Sequence, residues 1–397
     1  MADDHQHGDR QKVLIAGAGI AGLEAALALR EIAGEGVEVA LHDSRQEFVF
    51  KPFAIGEPYG TTRSFRYDLR RLSERCGATL RSSTIAAVEP ERRLAVTRDG
   101  ERLAYDHLIV ATGARMLWAV PGAVTYRGVV EEGEVGDLIA ALRAGRLQRV
   151  AFTMPAGHNW ALPLYELALL AATATEKAGS DRAQITIVTP EPAPLAVFGR
   201  RIAEQVSALL AEQRIEVIAA TQAVEFKAGR LRTAAGGDVE AEAAVTLPRM
   251  EGRCIGGIPH DADGFVDVDE YGRVAGLARV HAAGDVSSHR FKQGAFATQQ
   301  ADTVAEAIAA AAGAGIEPRP FDAIKRAVLW TGRGPRYLCG REGDGDDGSS
   351  GPSERHLELL HNGRLTARFL TPLVDSLIAE SDSLAGAAAT VGAPQRR

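Results

Sequence analysis

The sequence predicts an α/β protein with two alternating strand–helix units, each built on a parallel sheet, and a small C-terminal region. Three observations carry that expectation. From Gln11 the segments "KVLIAGAG", "IAGLEAALALREI" and "GVEVALHD" read strand, glycine turn, helix, strand, and such a βαβ unit requires parallel pairing. From about Arg149 to Pro248 a second block alternates in the same way, with strands "AQITIVTP" and "IEVIAA" on either side of the helix "GRRIAEQVSALLAEQ". A further strand, "RVHAAGDV", ends on Gly284 and Asp285 and leads into a long alanine-rich helix from Gly294 to about Ala312.

Composition narrows the classes of function. The chain has 397 residues, enough for two or three cores, with 46% hydrophobic and 24% charged residues, as in ordinary globular proteins. A net charge of −7 and no lysine- and arginine-rich cluster argue against nucleic acid as a partner. The opening "MADDHQHGDR" has no secretory layout and reads as a disordered cytoplasmic N-terminus. No run of 18 apolar residues predicts a transmembrane helix. Cys76, Cys254 and Cys339 are scattered, which suits a reducing compartment and offers no CxxC pair; no metal site is expected.

The first turn is the strongest chemical signal. Gly17, Gly19 and Gly22 form G-x-G-x-x-G between strand and helix, with Ile20 and Ala21 inside the motif. Gly17 permits the tight turn, Gly19 lets the backbone approach a pyrophosphate, and Gly22 lets helix and strand pack closely. The helix N-terminus offers N–H groups and a positive dipole to phosphate. Asp43, followed by Ser44, ends the second strand, where a carboxylate can accept hydrogen bonds from a ribose diol.

Two further motifs, Ala111-Thr112-Gly113 and "AAGD" ending at Gly284 and Asp285, resemble the paired flavin-domain motifs of the pyridine nucleotide–disulfide oxidoreductase superfamily. The resemblance covers residues 11 to about 315. It implies two Rossmann-like dinucleotide-binding domains, with a discontinuous FAD domain at 11–115 and 276–325. A second, NAD(P)-binding-like domain then spans 116–275, and a C-terminal region spans 326–397. It implies bound FAD, with Asp285 hydrogen-bonding the ribityl chain. Lys292, Gln293 and Gly294 stand before a helix whose N-terminus would stabilise negative charge on the reduced flavin.

The segment "EFVFKPFAIGEPYG" carries no cysteine where the disulfide reductases hold their redox pair. Its aromatic residues and Pro52 look like the type II NADH dehydrogenase and sulfide:quinone oxidoreductase branch. Lys51 reads either as a cation beside the flavin or as a solvated loop lysine. Sulfide:quinone oxidoreductases shuttle sulfur on several cysteines, whereas here only Cys339 stands at a family-like position, and a lone thiol forms no internal bridge.

The stretch "TMPAGHNWALPLYELALL", Thr153 to Leu170, stands where a second dinucleotide loop belongs. It holds Gly157 alone, together with Trp160 and Pro163, so the backbone cannot readily curl under a pyrophosphate. The site reads as degraded or repurposed, which makes NAD(P)H a doubtful second cofactor. His158 reads either as a solvent-facing loop residue or, with Trp160, as part of a pocket lining near the flavin. Glu166 is either a helix N-terminal carboxylate or, with Tyr165, a proton-handling group beside the flavin.

At the C-terminus "REGDGDDGSSGPSE" reads as a mobile loop. Leu365, Phe369, Leu373 and Leu377 lie four apart, an amphipathic helix signal weakened by Pro372. Little positive charge there leaves at most a weak membrane-surface contact, peripheral to the inner face, and packing on the body or in a homodimer is the simpler expectation. The function expected is an FAD-dependent oxidoreductase passing electrons from an undecided small donor to a quinone-like or other small acceptor. The alternatives are a flavin oxidase or dehydrogenase acting directly on a small organic substrate, and a sulfide:quinone oxidoreductase-like protein or non-catalytic flavin-binding interaction protein.

Overall fold

The computed structural model describes residues 10–128, 133–180, 182–341 and 365–391. The expected disordered N-terminus, residues 1–9, and nearly all of the acidic glycine-rich loop, residues 342–354, lie outside the described residues.

In chain order the strands that matter are β1 (Gln11–Ala16), β2 (Val37–His42), β3 (Thr79–Arg81), β4 (His107–Val110), β5 (Ala114–Leu117) and β6 (Val124–Thr125). They continue with β7 (Arg149–Thr153), β8 (Gln184–Val188), β9 (Ile215–Ile218), β10 (Ala243–Thr246), β11 (Arg249–Gly252) and β12 (Val280–Ala282). A C-terminal hairpin is formed by β13 (Ile324–Trp330) and β14 (Pro335–Arg341). Five helices organise the site: α1 (Ile20–Ala33), α2 (Leu162–Lys177), α3 (Arg200–Glu212), α4 (Gly294–Ala311) and α5 (Leu370–Val391).

Two parallel sheets form the body. The first runs β12-β4-β1-β2-β3, and the second runs β6-β10-β7-β8-β9. The last strand of the first sheet comes from residue 280 onward, so that sheet is discontinuous in sequence and encloses the second. Helices α1 and α4 pack together beside it through Ala21, Ala25 and Ala28 against Ala297, Ala301 and Ala305, all in one buried cluster. Alanine at these positions lets two helices approach closely, which explains the alanine-rich composition of both. The antiparallel pair β5–β11 links the two sheets and brings Gly252 opposite Ala114.

One boundary differs from the sequence expectation. The C-terminal helix begins at Leu370, so Leu365 and Phe369 precede it. Pro372 therefore sits in the first turn, where no backbone N–H is needed, and does not weaken the helix. Leu365 is still buried, in the same cluster as α1 and α4. No helix among the described residues is long and apolar enough to cross a membrane.

Candidate functional site

Parallel pairing aligns the carboxyl ends of four strands. Ala16 stands opposite both His42 and Val110, and Val110 opposite Ala282. The next residues, Gly17, Asp43, Ala111 and Ala283, therefore meet just beyond the sheet edge, where open α/β sheets place ligands. They border a cleft of about 510 Å³, within the range of small-molecule sites. A larger concavity of about 820 Å³ lies at the other sheet, around Gln148, Arg149 and Gln184 at the amino ends of β7 and β8. That is the wrong end for a ligand of this fold.

The three motif glycines have separate reasons. Gly17 has φ +107°, and a Cβ there would stand 2.5 Å from the Ala111 carbonyl oxygen. At Gly22 a Cβ would stand 2.0 Å from the Gly17 carbonyl oxygen, so helix and turn touch. Gly19 instead has open space on its Cβ side and borders the cleft, as do Ile20 and Ala21. Gly22 is structural and does not line it.

Asp43 and Ser44 line the opposite wall. The Asp43 carboxylate accepts from the Ala18 N–H at 2.9 Å and from Arg45 through Nε at 3.0 Å and Nη2 at 2.6 Å. Burial alone raises its pKa, but the hydrogen bonds from Arg45 and Ala18 outweigh burial and hold it below the usual value. His42, behind it, bonds Ser83 at 2.8 Å, and burial followed by the Arg81 charge depresses its pKa to about 4, so the ring is neutral.

Ala111, Thr112 and Gly113 line the floor, and the Thr112 Oγ1 is buried without a hydrogen-bond partner. Gly284, Asp285 and Gly294 close the far side. Asp285 accepts no hydrogen bond among the described residues. Burial raises its pKa, opposed by the charges of Lys292 and then Lys51. Lys51 stands exposed in the cleft, its pKa lowered by crowding of the surrounding chain and by Arg45, with Asp285 acting against this.

Pro52, Lys292, Gln293, Tyr165 and Glu166 do not line the cleft. Lys292 is buried, with Nζ donating to the Ser287 carbonyl at 2.6 Å and lying 3.7 Å from the Phe265 ring centre. Gln293 donates to the Arg326 carbonyl at 2.8 Å. Glu166, 0% exposed, accepts from the Trp330 N–H of β13 at 2.9 Å, so it anchors the hairpin. Tyr165, equally buried, donates to Glu191 at 2.5 Å; burial, then that carboxylate, raises its pKa strongly.

This last pair belongs to the second dinucleotide position. Between β7 and α2 the turn spans Met154 to Ala161. Its Trp160 packs edge-on against Phe198, Phe291 and Phe296, at 5.7, 6.1 and 6.2 Å between ring centres. Glu191, just beyond β8 where a ribose-binding acid belongs, is engaged by Tyr165. His158 is half-buried: its Nε2 donates to the Ser288 carbonyl at 3.1 Å, and its ring lies 4.4 Å from Phe265.

Among the cleft-lining residues that the sequence did not announce are two arginines. Arg45 follows Asp43 by two positions, and that spacing was the available signal. Arg253 reaches the cleft from the second block through the β5–β11 pairing, a long-range contact that no local pattern announces.

A family model described as pyridine nucleotide-disulphide oxidoreductase matches residues 11–150 and 165–307. The chain belongs to that family. It is thus an oxidoreductase of an FAD-binding family. The match breaks between residues 150 and 165, across the long turn before α2. Among solved structures, the chain is similar to the sulfide:quinone oxidoreductase of Aquifex aeolicus, with 20% identity, 83% of each chain covered and a TM-score of 0.74. It is also similar to a ferredoxin reductase of Rhodopseudomonas palustris, with 20% identity, 81% of this chain and 80% of that one covered, and a TM-score of 0.59. A water-forming NADH oxidase of Lactobacillus brevis matches at 14% identity, over 79% and 73% of the two chains, with a TM-score of 0.55. At such identities these likenesses establish the fold.

Proposed function

We propose that the protein holds FAD in the 510 Å³ cleft of a domain formed by residues 11–115 and 276–325, and that it transfers electrons from a donor other than NAD(P)H to a quinone-like or other small acceptor. One observation carries the reading: the first dinucleotide turn is open, while the second is closed by Trp160 and by the Tyr165–Glu191 pair.

The donor set fits the cofactor. Gly17 to Ala21 present the start of α1 to a diphosphate, and the Lys51 and Arg253 cations on the walls suit its charge. Asp43, kept ionised by Arg45, is an acceptor for a ribose diol. The Thr112 hydroxyl and the Asp285 carboxylate are polar groups without hydrogen bonds among the described residues. FAD, when bound, supplies reversible two-electron chemistry. The chain contributes the first turn of α4, whose Gly294 borders the cleft and whose dipole favours negative charge there.

Cys76 is buried, and burial pushes its thiol up to about 12, while Cys254 is exposed. A sulfur relay therefore finds no support in this chain, despite the likeness to a sulfide:quinone oxidoreductase.

The test is anaerobic titration of the purified yellow protein with NADH, NADPH and then dithionite. Bleaching of the flavin band by dithionite alone is expected. Rapid bleaching by either nicotinamide overturns the closed second site, and a colourless protein unable to take up FAD overturns the cofactor assignment. Oxygen uptake with an organic donor and no quinone would move the reading to a direct flavin oxidase.

A further inference from the structure

The first sheet holds two buried histidines that the cleft does not use. His107 begins β4 and His281 is the middle residue of β12, and they are 3% and 2% exposed. His281 stands opposite Ile109, two residues from His107, so both rings lie on one face of the sheet. Their ring centres are 5.7 Å apart.

Hydrogen bonding makes the first ring neutral. Arg279 Nη1 donates to His107 Nε2 at 2.9 Å, so that nitrogen carries a lone pair and the proton sits on Nδ1. His107 Nδ1 and both ring nitrogens of His281 are buried without a hydrogen-bond partner among the described residues. A metal ion does not suit the pair, because Arg279 already occupies the lone pair that His107 offers.

The neighbours also oppose a further proton. Arg279 stands just before β12, and Arg273 bridges to His281 from a turn whose Tyr271 carbonyl faces the ring out of hydrogen-bond geometry. Asp106 stands next to His107, but its carboxylate already accepts from the Lys12 N–H at 2.8 Å. β1 places Val13 opposite His107, and α4 places Val304 against Gly272 of the turn. Burial first lowers both rings. Arg279 then holds His107 at about 4, while His107, Arg273 and Arg279 hold His281 at about 3.

β12 is an edge strand of three residues, paired with β4 on one side and held on the other by the short bridge at Arg273. Both strands run into the cleft. β4 leads to Ala111, Thr112 and Gly113, and β12 leads to Ala283, Gly284 and Asp285, all of which line it. We propose that His107 and His281 form an acid-operated latch, whose protonation parts β12 from β4 and releases the flavin while the rest of the fold persists. The inference rests on the reading that FAD occupies the cleft.

A histidine free of the fold takes up its proton near pH 6.5, whereas the packed rings do so only near 4 and 3. The packed arrangement is therefore fully favoured above about pH 6.5 and loses ground as the pH falls toward 4. At about pH 5 each histidine weakens it roughly tenfold or more.

The experiment takes flavin-containing protein from about pH 7.5 to about 4.5, reading flavin release by fluorescence and helix content by circular dichroism. Wild type is compared with His281→Leu, with His107→Leu and His281→Leu combined, and with Arg279→Gln. Wild type is expected to lose flavin before its helix signal. The leucine variants fill the space without a titrating group, and should release flavin at lower pH. At about pH 5 each histidine removed should tighten flavin binding roughly tenfold or more, relative to its value at neutral pH. Arg279→Gln is an exposed change that keeps a donor for Nε2. It should shift release the same way by less, since a charged ring then meets one cation fewer, and it carries the test where leucine disturbs folding. Asp285 and Asp302 also have raised pKa values, but both are present in every variant, so differences between the curves belong to the latch. Leucine variants that follow the wild-type curve overturn it. Wild-type flavin loss that coincides with loss of the helix signal overturns it too. An unshifted Arg279→Gln overturns the part given to the arginine. Wild-type protein without flavin at about pH 7.5 is a separate failure, that of the cofactor reading itself.

Discussion

The two βαβ units of this molecule share a plan and differ in one turn. In the first, β1 ends at Ala16 and α1 begins at Ile20, so only Gly17, Ala18 and Gly19 intervene. In the second, β7 ends at Thr153 and α2 begins at Leu162, so the eight residues from Met154 to Ala161 intervene. The short turn must be glycine-rich because its backbone lies against Ala111 and against itself. The long one is filled by Trp160 and needs no such freedom. What one unit leaves open for a ligand, the other has packed with side chains.

The helices that follow remain equivalent. Glu24 is the fifth residue of α1 and Glu166 the fifth of α2, and both are 0% exposed. Glu24 accepts from the Phe369 and Leu370 N–H groups at 3.0 and 2.6 Å, capping the start of α5. Glu166 accepts from the Trp330 N–H of the C-terminal hairpin. Each unit thus holds one piece of the C-terminal region by a buried glutamate at the same helical position.

The largest effect is expected from closing the open turn. Gly22→Ala would drive a Cβ to 2.0 Å from the Gly17 carbonyl oxygen, and neither backbone can yield cheaply. The variant is expected to purify without flavin, with a hundredfold or greater loss of FAD affinity, about 3 kcal/mol or more. Wild-type flavin content after purification would remove the close packing of turn and helix as the reason for that glycine.

Opening the closed turn should cost stability without admitting a nicotinamide. Trp160→Ala removes a ring that is 8% exposed and is expected to destabilise the fold by about 3–5 kcal/mol, measured by urea unfolding. Flavin content should persist and NADH should still fail to bleach it, since the turn keeps its length and Tyr165 still occupies Glu191. Rapid bleaching by NADH in this variant would make Trp160 alone the barrier.

The sequence disclosed the first unit far better than the second. G-x-G-x-x-G and Asp43 are local, and the turn they predict closes through contacts within one unit. The departure at Thr153–Leu170 was equally visible, because missing glycines are local too. What filled the space was not. Phe198 comes from one distant stretch of chain and Phe291 and Phe296 from another, and nothing in "YELA" says that Glu166 reaches a hairpin 164 positions on. Its reading as a proton-handling group came from proximity to a motif, whereas burial against β13 decides its place.

The smallest effect separates the two glutamates. Beside Glu24 stands Asp302 of α4, whose Oδ1 is buried without a partner. Burial first, and then the Glu24 charge, pushes the Asp302 carboxyl up to about 8, with Arg368 opposing. Burial also raises Glu24, against the Phe369 and Leu370 N–H groups that favour its charged form. The arrangement therefore holds one proton, on Asp302. The folded state binds it through a pH range in which the unfolded chain has lost it, so this site's contribution to stability falls from about pH 4 to about 8. Glu306 lies nearby but is held ionised by Arg319, despite its burial, and does not share that proton. Asp302→Asn keeps a donor for Glu24 and has nothing to titrate. It is expected to gain stability relative to wild type as pH rises from 5 to 9, read from unfolding curves at both pH values. Parallel behaviour of the two proteins across that range would place the proton elsewhere, and with it the difference between the ways the two units hold their C-terminal segments.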